Sequence, residues 1–438
     1  MDSQMQQAGD IDVDNLFNEE NLNNAALGGG ILSENAILQD SVFGSAPAQT
    51  EQLADFAVNG SLSRLTWARP GVIAHITEDG TTVETSLQRL DTKSGKWLKS
   101  EPRTLDATLE DAVGLTWSTT GAELAVLDRK GRVNIFNLLP TAGNRFAHTR
   151  DASSDQADEL NQPIGILWLT LSRNAQDKKK TVLENVKENG RWKHEHVEGG
   201  YYPPHALRAF CFIGRTGRFN MLWTKDGGAF KVSTVSLPTS ESATFAHAAI
   251  SQTPEGRLLV ALHATTEEIS TYAVNVVFAS NDAQTPPTLN VEAIDHKIPA
   301  TPPYFDVGNQ PVTDMVDDYV LTHLYILPES EYSWNHLNKP HLSSKQPATL
   351  LAAYSTCNSQ GNAAGSGIFG ATVIKRWQFQ QSQFQIHPRF GGNDNFEPVE
   401  TIMQPFPDTI LPAPITNLQV MDPGNAIAIT TLDGTQIP

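Results

Sequence analysis

The chain has 438 residues, of which 39% are hydrophobic and 18% charged, with a formal net charge of −18. That apolar content is enough for a large core and excludes wholesale disorder. The negative balance excludes broad affinity for phosphate backbones or anionic lipid. Two cysteines, Cys211 and Cys357, make no disulfide framework and point to a reducing compartment. Residues 1–10 carry neither a basic nor an apolar stretch, so no secretory leader is expected. No apolar run approaches the roughly 20 residues that cross a bilayer. The expectation is a soluble intracellular protein.

Residues 1–60 contain no Lys or Arg and many acidic, Asn, Gln and Gly residues, including Gly28, Gly29 and Gly30. A stretch of this kind buries too little apolar surface to offset the entropy of ordering, so an acidic, mostly disordered segment is predicted. Within it, Ile11, Val13, Leu16 and Phe17 alternate with Asp10, Asp12, Asp14, Glu19 and Glu20. Such acidic-hydrophobic alternation suits a segment that folds onto a partner's groove. A purely solubilising tail is the plainer reading. Near its end, residues 53–58 are a candidate closing strand for the domain that follows.

From Ser61 the pattern changes to short alternating strands with glycine-bearing turns. Residues 62–87 (LSRLTWARPGVIAHITEDGTTVETSL) and 113–138 (VGLTWSTTGAELAVLDRKGRVNIFNL) align on each other. Leu65-Thr66-Trp67 falls on Leu115-Thr116-Trp117, and Gly80 falls near Gly131. A repeat with a period near 50 residues is in the range of propeller blades. Trp67 and Trp117 occupy equivalent places, so both are expected in the packing between blades.

Weaker copies follow. Residues 164–198 hold two strand candidates, GILWLTL and GRWKHEHV, around a basic loop. Residues 207–237 and 247–276 each repeat the three-strand rhythm, with Asp226-Gly227-Gly228 and Pro254-Glu255-Gly256 at turns. The stretch 280–317, with its TPPTLN and TPPYF runs, reads as a long loop insertion. Residues 349–355 and 371–379 read as paired strands, and 415–434 as a last copy. A single sheet of this kind cannot cover both its faces, so units stack side by side and cover one another. At roughly 45 to 60 residues per blade, residues 61–438 predict an all-β, WD-repeat-like β-propeller of about seven blades. Six blades are the alternative count, long loop insertions are expected, and the last blade reads as truncated. A pair of packed sheets is the structural alternative.

No motif in the chain predicts catalysis or a cofactor. His194 and His196 sit two apart on a probable strand with His205 nearby, but nothing supplies a reliable third or fourth ligand, and structural zinc usually needs four. Gly365-Ser366-Gly367 lacks the spacing of a nucleophile elbow, and Gly361 to Gly365 is not followed by Gly-Lys-Ser/Thr. Asn59-Gly60-Ser61 matches a glycosylation sequon and, with no leader expected, reads as a spacer. The run Lys178-Lys179-Lys180 is either a solvated hairpin loop or an import signal or acidic-partner contact. Trp334, flanked by polar residues, is a candidate interface anchor alongside Ile11, Val13, Leu16 and Phe17. A rival enzyme reading, a propeller hydrolase or lyase, would require His194, His196, His205, Asp226 and His247 to converge.

The first two blades, LSRLTWARPGVIAHITEDGTTV and VGLTWSTTGAELAVLDRKGRVNIF, resemble the opening of the fungal Mediator complex subunit 16 family. The later runs GATVIKRWQF and NLQVMDPGNAIAITTLDG are similar to that family as well. The resemblance implies a nuclear, non-enzymatic coregulator of the Mediator tail module, linking DNA-bound activators to RNA polymerase II. Its implied partners are other tail subunits and activators, without sequence-specific nucleic-acid binding, membrane or small-molecule substrate. It also implies an amino-terminal propeller followed by a helical region, so the chain is expected to be part of a longer protein. The chain departs from the usual repeat in having no Trp-Asp dipeptide and no Gly-His pair. A WD-repeat scaffold of another complex, in trafficking or ubiquitin ligation, is the alternative.

Overall fold

Apolar runs of five to eight residues, rich in Val, Ile, Leu and Phe and punctuated by glycine turns, are buried on both faces when sheets stack on sheets. In the computed structural model this produces 26 strands among the described residues, joined almost wholly as antiparallel meanders. The structure describes residues 54–68, 71–105, 111–118, 121–138, 146–152, 161–169, 182–188, 191–197, 208–224, 230–239, 243–253, 256–264, 268–277, 285–299, 319–329, 347–356, 372–382, 400–411, 413–421, 426–431 and 436–437. One compact unit runs from Gln52 to Pro438.

Six sheets follow one another along the chain and are numbered I to VI. Blade I comprises β1 (Leu65–Trp67), β2 (Val72–Ile76), β3 (Val83–Asp91) and β4 (Lys96–Lys99), with β5 (Arg103–Thr104) also pairing β3. Blade II is β6 (Ala112–Trp117), β7 (Glu123–Asp128), β8 (Val133–Leu138) and β9 (Phe146–Ala152). Blade III takes β10 (Pro163–Trp168), then skips a separate hairpin of β11 (Val182–Glu188) and β12 (Arg191–Val197). It continues with β13 (Arg208–Gly214), β14 (Arg218–Thr224) and β15 (Lys231–Ser236). Blade IV is β16 (Phe245–Gln252), β17 (Leu258–Ala264), β18 (Glu268–Val277) and β19 (Thr288–Pro299). Blade V is β20 (Tyr319–Leu327), β21 (Thr349–Thr356), β22 (Thr372–Ser382) and β23 (Glu400–Leu411). Blade VI has three strands, β24 (Ile415–Met421), β25 (Ala426–Thr431) and β26 (Gln436–Ile437).

The first strand of each blade is its inner one. β1 neighbours β6, β6 neighbours β10, β10 neighbours β16, β16 neighbours β20, and β20 neighbours β24. Residues of all six inner strands line one cavity of about 200 Å³, among them Thr66, Leu115, Ile166, Ala249, Tyr325 and Leu418. Successive sheets sharing an axial channel define a β-propeller.

The core therefore lies between blades. Ala74, Val72 and Val83 of blade I pack on Leu115, Trp117, Leu124 and Phe136 of blade II. The opposite face of blade II, with Ala125, Leu127 and Ile135, packs on Trp168, Phe210 and Phe212 of blade III. Blades III and IV share the largest cluster, including Ile213, Phe219, Met221, Val260 and Tyr272. Their inner strands approach so closely at Gly165 that a Cβ there would lie 2.7 Å from the Ala248 carbonyl oxygen and 2.8 Å from its Cβ. A Gly165→Ala substitution should therefore force β10 and β16 apart and cost about 1–3 kcal/mol in a denaturant titration. An unchanged midpoint would mean the two strands have slack.

Most of the strands read from the sequence stand where they were expected, including the pairing of β21 with β22. Three expectations are corrected. Residues 54–59 are helical, so the candidate closing strand at 53–58 is not a strand. Alanines at 54 and 57 favour helix, and Gly60 ends it in the left-handed conformation, φ +82°, with its N–H donating to the Phe56 carbonyl. Residues 288–299, inside the expected loop insertion, form β19, the outer strand of blade IV. Trp67, expected in the core with Trp117, is 50% exposed, whereas Trp117 is 8% exposed.

Candidate functional site: a plugged channel

The helix 54–59 is held by three blades at once. Arg215, just after β13, donates from Nη1 to Asn59 Oδ1 at 3.0 Å and from Nη2 to the Val58 carbonyl at 2.9 Å. The ring of Phe56 meets His323 of blade V edge-on, with centroids 5.4 Å apart. Gly60 passes so close to blade IV that a Cβ would lie 2.6 Å from the Ala246 carbonyl oxygen. Asn59, read from the sequence as a spacer, is thus a structural contact: its Nδ2 also donates to Asp55 Oδ1 at 2.6 Å. Replacing Arg215 with Met removes both bonds to this plug. We expect a loss of about 1–3 kcal/mol, with faster amide exchange confined to residues 54–60. Exchange rates that do not change there would show that the plug is held by packing alone.

Beneath the plug lie three histidines. His247 on β16 and His323 on β20 are each 2% exposed, and His263 on β17 is half-buried with its ring 5.8 Å from that of His247. Burial pushes His247 down to about 3, with His263 and His323 adding repulsion, while the backbone at Leu321 and Ala57 opposes the shift. Burial likewise lowers His323 to about 3 and His263 to about 4. All three imidazoles are therefore neutral at pH 7. His247 Nε2 and His263 Nδ1 have no hydrogen-bond partner among the described residues. His323 Nδ1 lies 3.0 Å from Thr322 Oγ1, which begins a run of buried hydroxyls through Ser355 and Thr372. Thr372 Oγ1 accepts from the Ile415 N–H and donates to the Ala413 carbonyl, tying blade V to blade VI.

Chemically this is a dry, neutral site. General acid–base catalysis works best with a pKa near the working pH, and these imidazoles sit well below neutrality. Among the described residues no three His, Cys, Asp or Glu side chains are placed to hold a metal. The Cys211 thiol is buried, and burial pushes its pKa up, away from the reactive thiolate.

Of the five groups whose convergence would suit an enzyme, only His247 has a described side chain, and it meets His263 and His323 instead. His194 and His196 lie on β12, opposite Asn185 and Leu183 of β11. His205 and Asp226 fall outside the described residues, as do Ile11, Val13, Leu16, Phe17, Trp334, Lys178-Lys179-Lys180 and residues 361–367. The plug, His263 and His323 were not singled out in the sequence. A glycine directly after a short alanine-containing apolar run is a helix-stop signal and marks residues 54–60 in retrospect. Nothing local marks the histidines, because they meet only when three blades are assembled.

The architecture defines an all-β propeller whose channel is closed by a helix from its own amino-terminal side. The chain belongs to the family described as Mediator complex subunit 16, N-terminal, which its residues 151–435 match. It is 26% identical over 359 residues to the Mediator of RNA polymerase II transcription subunit 16 of Aspergillus clavatus, covering 78% of this chain and 37% of that protein. The subunit of the same name from Neosartorya fischeri is 25% identical over 462 residues, covering 98% of this chain and 45% of that protein. The chain thus spans less than half the length of the curated relatives it matches. Among solved structures, the Nup133 β-propeller domain of Vanderwaltozyma polyspora is 10% identical with a TM-score of 0.40, covering 86% of this chain and 81% of that one. Kluyveromyces lactis Hsv2 is also 10% identical, with a TM-score of 0.33, covering 54% of this chain and 61% of that one.

Proposed function

We propose that the chain is a non-enzymatic part of the Mediator tail module, a nuclear coregulator scaffold linking DNA-bound activators to RNA polymerase II. The family match over residues 151–435 carries this reading. The site geometry is consistent with it: the channel is plugged, its imidazoles are neutral, and its thiol is buried. A propeller of this size offers rims and loops large enough for the roughly 1,200–2,000 Å² that a stable complex buries. The segment bearing Ile11, Val13, Leu16 and Phe17, with Trp334, supplies the proposed partner contacts.

The test is affinity purification of the tagged protein from nuclear extract, with mass spectrometry of what comes with it. Recovery of tail subunits is the expected result. Recovery of other assemblies without any Mediator subunit overturns the reading. Replacing Ile11, Val13, Leu16 and Phe17 together with Ala should reduce activator recovery several-fold while leaving the propeller's melting unchanged.

A further inference from the structure

Three tryptophans stand at the end of the inner strand in blades I, II and III: Trp67, Trp117 and Trp168. Two of them make the same bond. Trp117 Nε1 donates to the Thr66 carbonyl at 3.4 Å, and Trp168 Nε1 donates to the Thr116 carbonyl at 3.1 Å. In each case the acceptor is the residue just before the tryptophan of the preceding blade. The indole N–H is thus a rung between neighbouring inner strands, and its ring is covered by the preceding blade. Trp117 is 8% exposed and Trp168 is 5% exposed.

Trp67 has the same position and neither the cover nor the rung. It is 50% exposed, its indole N–H has no acceptor among the described residues, and its one ring contact is Trp97 of its own blade. Leu65 shares its face and is 49% exposed, against 1% for Leu115 at the equivalent place. The register puts Ile73 opposite Trp67, as Leu124 stands opposite Trp117. Leu124 is fully buried, whereas Ile73 is only half-buried. Blade I therefore presents an inter-blade face with no blade against it.

Blade VI does not supply the missing cover. Its near face, with Leu418 and Ile429, is used against blade V. Its far face carries Asn417 and Ala428, both exposed, and Thr430. The surfaces that cover Trp117 and Trp168 are apolar: Val72, Ala74 and Val83 in one case, Ala125, Leu127 and Ile135 in the other. A face of Asn, Ala and Thr does not match them.

We propose that the Leu65–Trp67 face is the seat of one further antiparallel sheet, standing between blades VI and I and supplied by polypeptide outside these 438 residues. That sheet has an apolar face toward blade I and presents an inner-strand carbonyl to Trp67 Nε1. The strands described here are already assigned to six blades and one hairpin, and the relatives extend well beyond the matched region. This inference rests on the ladder of indoles and not on the functional reading.

Hydroxyl-radical footprinting read by mass spectrometry tests it, with Trp97 as the exposed reference and Trp117 as the covered one. The 438-residue chain and the polypeptide at the full length of its relatives are oxidised side by side. In the short chain Trp67 should react like Trp97. In the long one its oxidation should fall at least five-fold, to the level of Trp117. Equal reactivity of Trp67 in both, at the level of Trp97, overturns the proposal. So does full protection in the short chain, because blade VI would then close on blade I directly.

Discussion

Lowering the pH from 7 to 5 is expected to remove about 6 kcal/mol of stability from the propeller, about 2 kcal/mol for each of three histidines. The unfolded chain binds protons on His247, His263 and His323 near the ordinary value of 6.5, whereas the folded chain holds them neutral down to about 3–4. Below 6.5 the unfolded state therefore carries more protons, and stability falls with falling pH. The loss continues through the window from 6.5 to about 4 at roughly 1.4 kcal/mol per pH unit for each group. The depressed carboxyls do not blur this window. Asp79, lowered to about 2 chiefly by the Thr77 and Thr81 hydroxyls, and Asp91, lowered chiefly by the Ser94 hydroxyl, act below the ordinary carboxylate value. Domains of ordinary stability hold only about 5–15 kcal/mol in total, so partial unfolding by pH 5 is within reach. Urea midpoints at pH 7, 6 and 5 measure the slope, and His323→Phe should flatten it by about one third. A midpoint independent of pH would mean that water reaches the imidazoles.

Removing the indole of Trp168 should cost about 3–5 kcal/mol, the ordinary range for a buried aromatic cut back to Ala. The substitution empties the space against Phe210, whose ring is 5.2 Å away, and deletes the bond to the Thr116 carbonyl. Trp67→Ala, at the equivalent position of blade I, should cost only about 1 kcal/mol, because half of that ring is already in water. Paired denaturation curves decide the matter. Equal losses at the two positions would mean that the blade I ring is covered in solution.

How far the sequence could be read depended on which strand of a blade was in question. Inner and middle strands are sandwiched between blades, so runs such as ELAVLD and LLVALHA are apolar throughout and stand out from their surroundings. Outer strands face water and carry no such signal. β19 reads TLNVEAIDHKIP, and β23 reads ETIMQPFPDTIL with Pro405 and Pro407 in it, which a search for central strands rejects. The tryptophan alignment correctly marked an inter-blade position, but exposure depends on a neighbour that no local pattern encodes. The same limit hid the channel. His247, His263 and His323 are far apart in the chain, and only the closing of blades IV and V under residues 54–59 makes them one site.

The excursion inside blade III has a consequence for how the protein can vary. β10 pairs directly with β13, Trp168 opposite Phe210, so the intervening chain leaves and rejoins the sheet at adjacent points. Its hairpin keeps a ladder of its own, from Val182 opposite Val197 to Glu188 opposite Arg191. The ring is therefore mechanically indifferent to the length of this side arm, since loop-closure entropy grows by only about 0.6 kcal/mol per doubling. The arm also carries Lys178, Lys179 and Lys180, the densest cations of an acidic chain. A spur that can be lengthened, trimmed or recharged without retuning a single blade is where related chains can acquire new addresses at little cost to the fold.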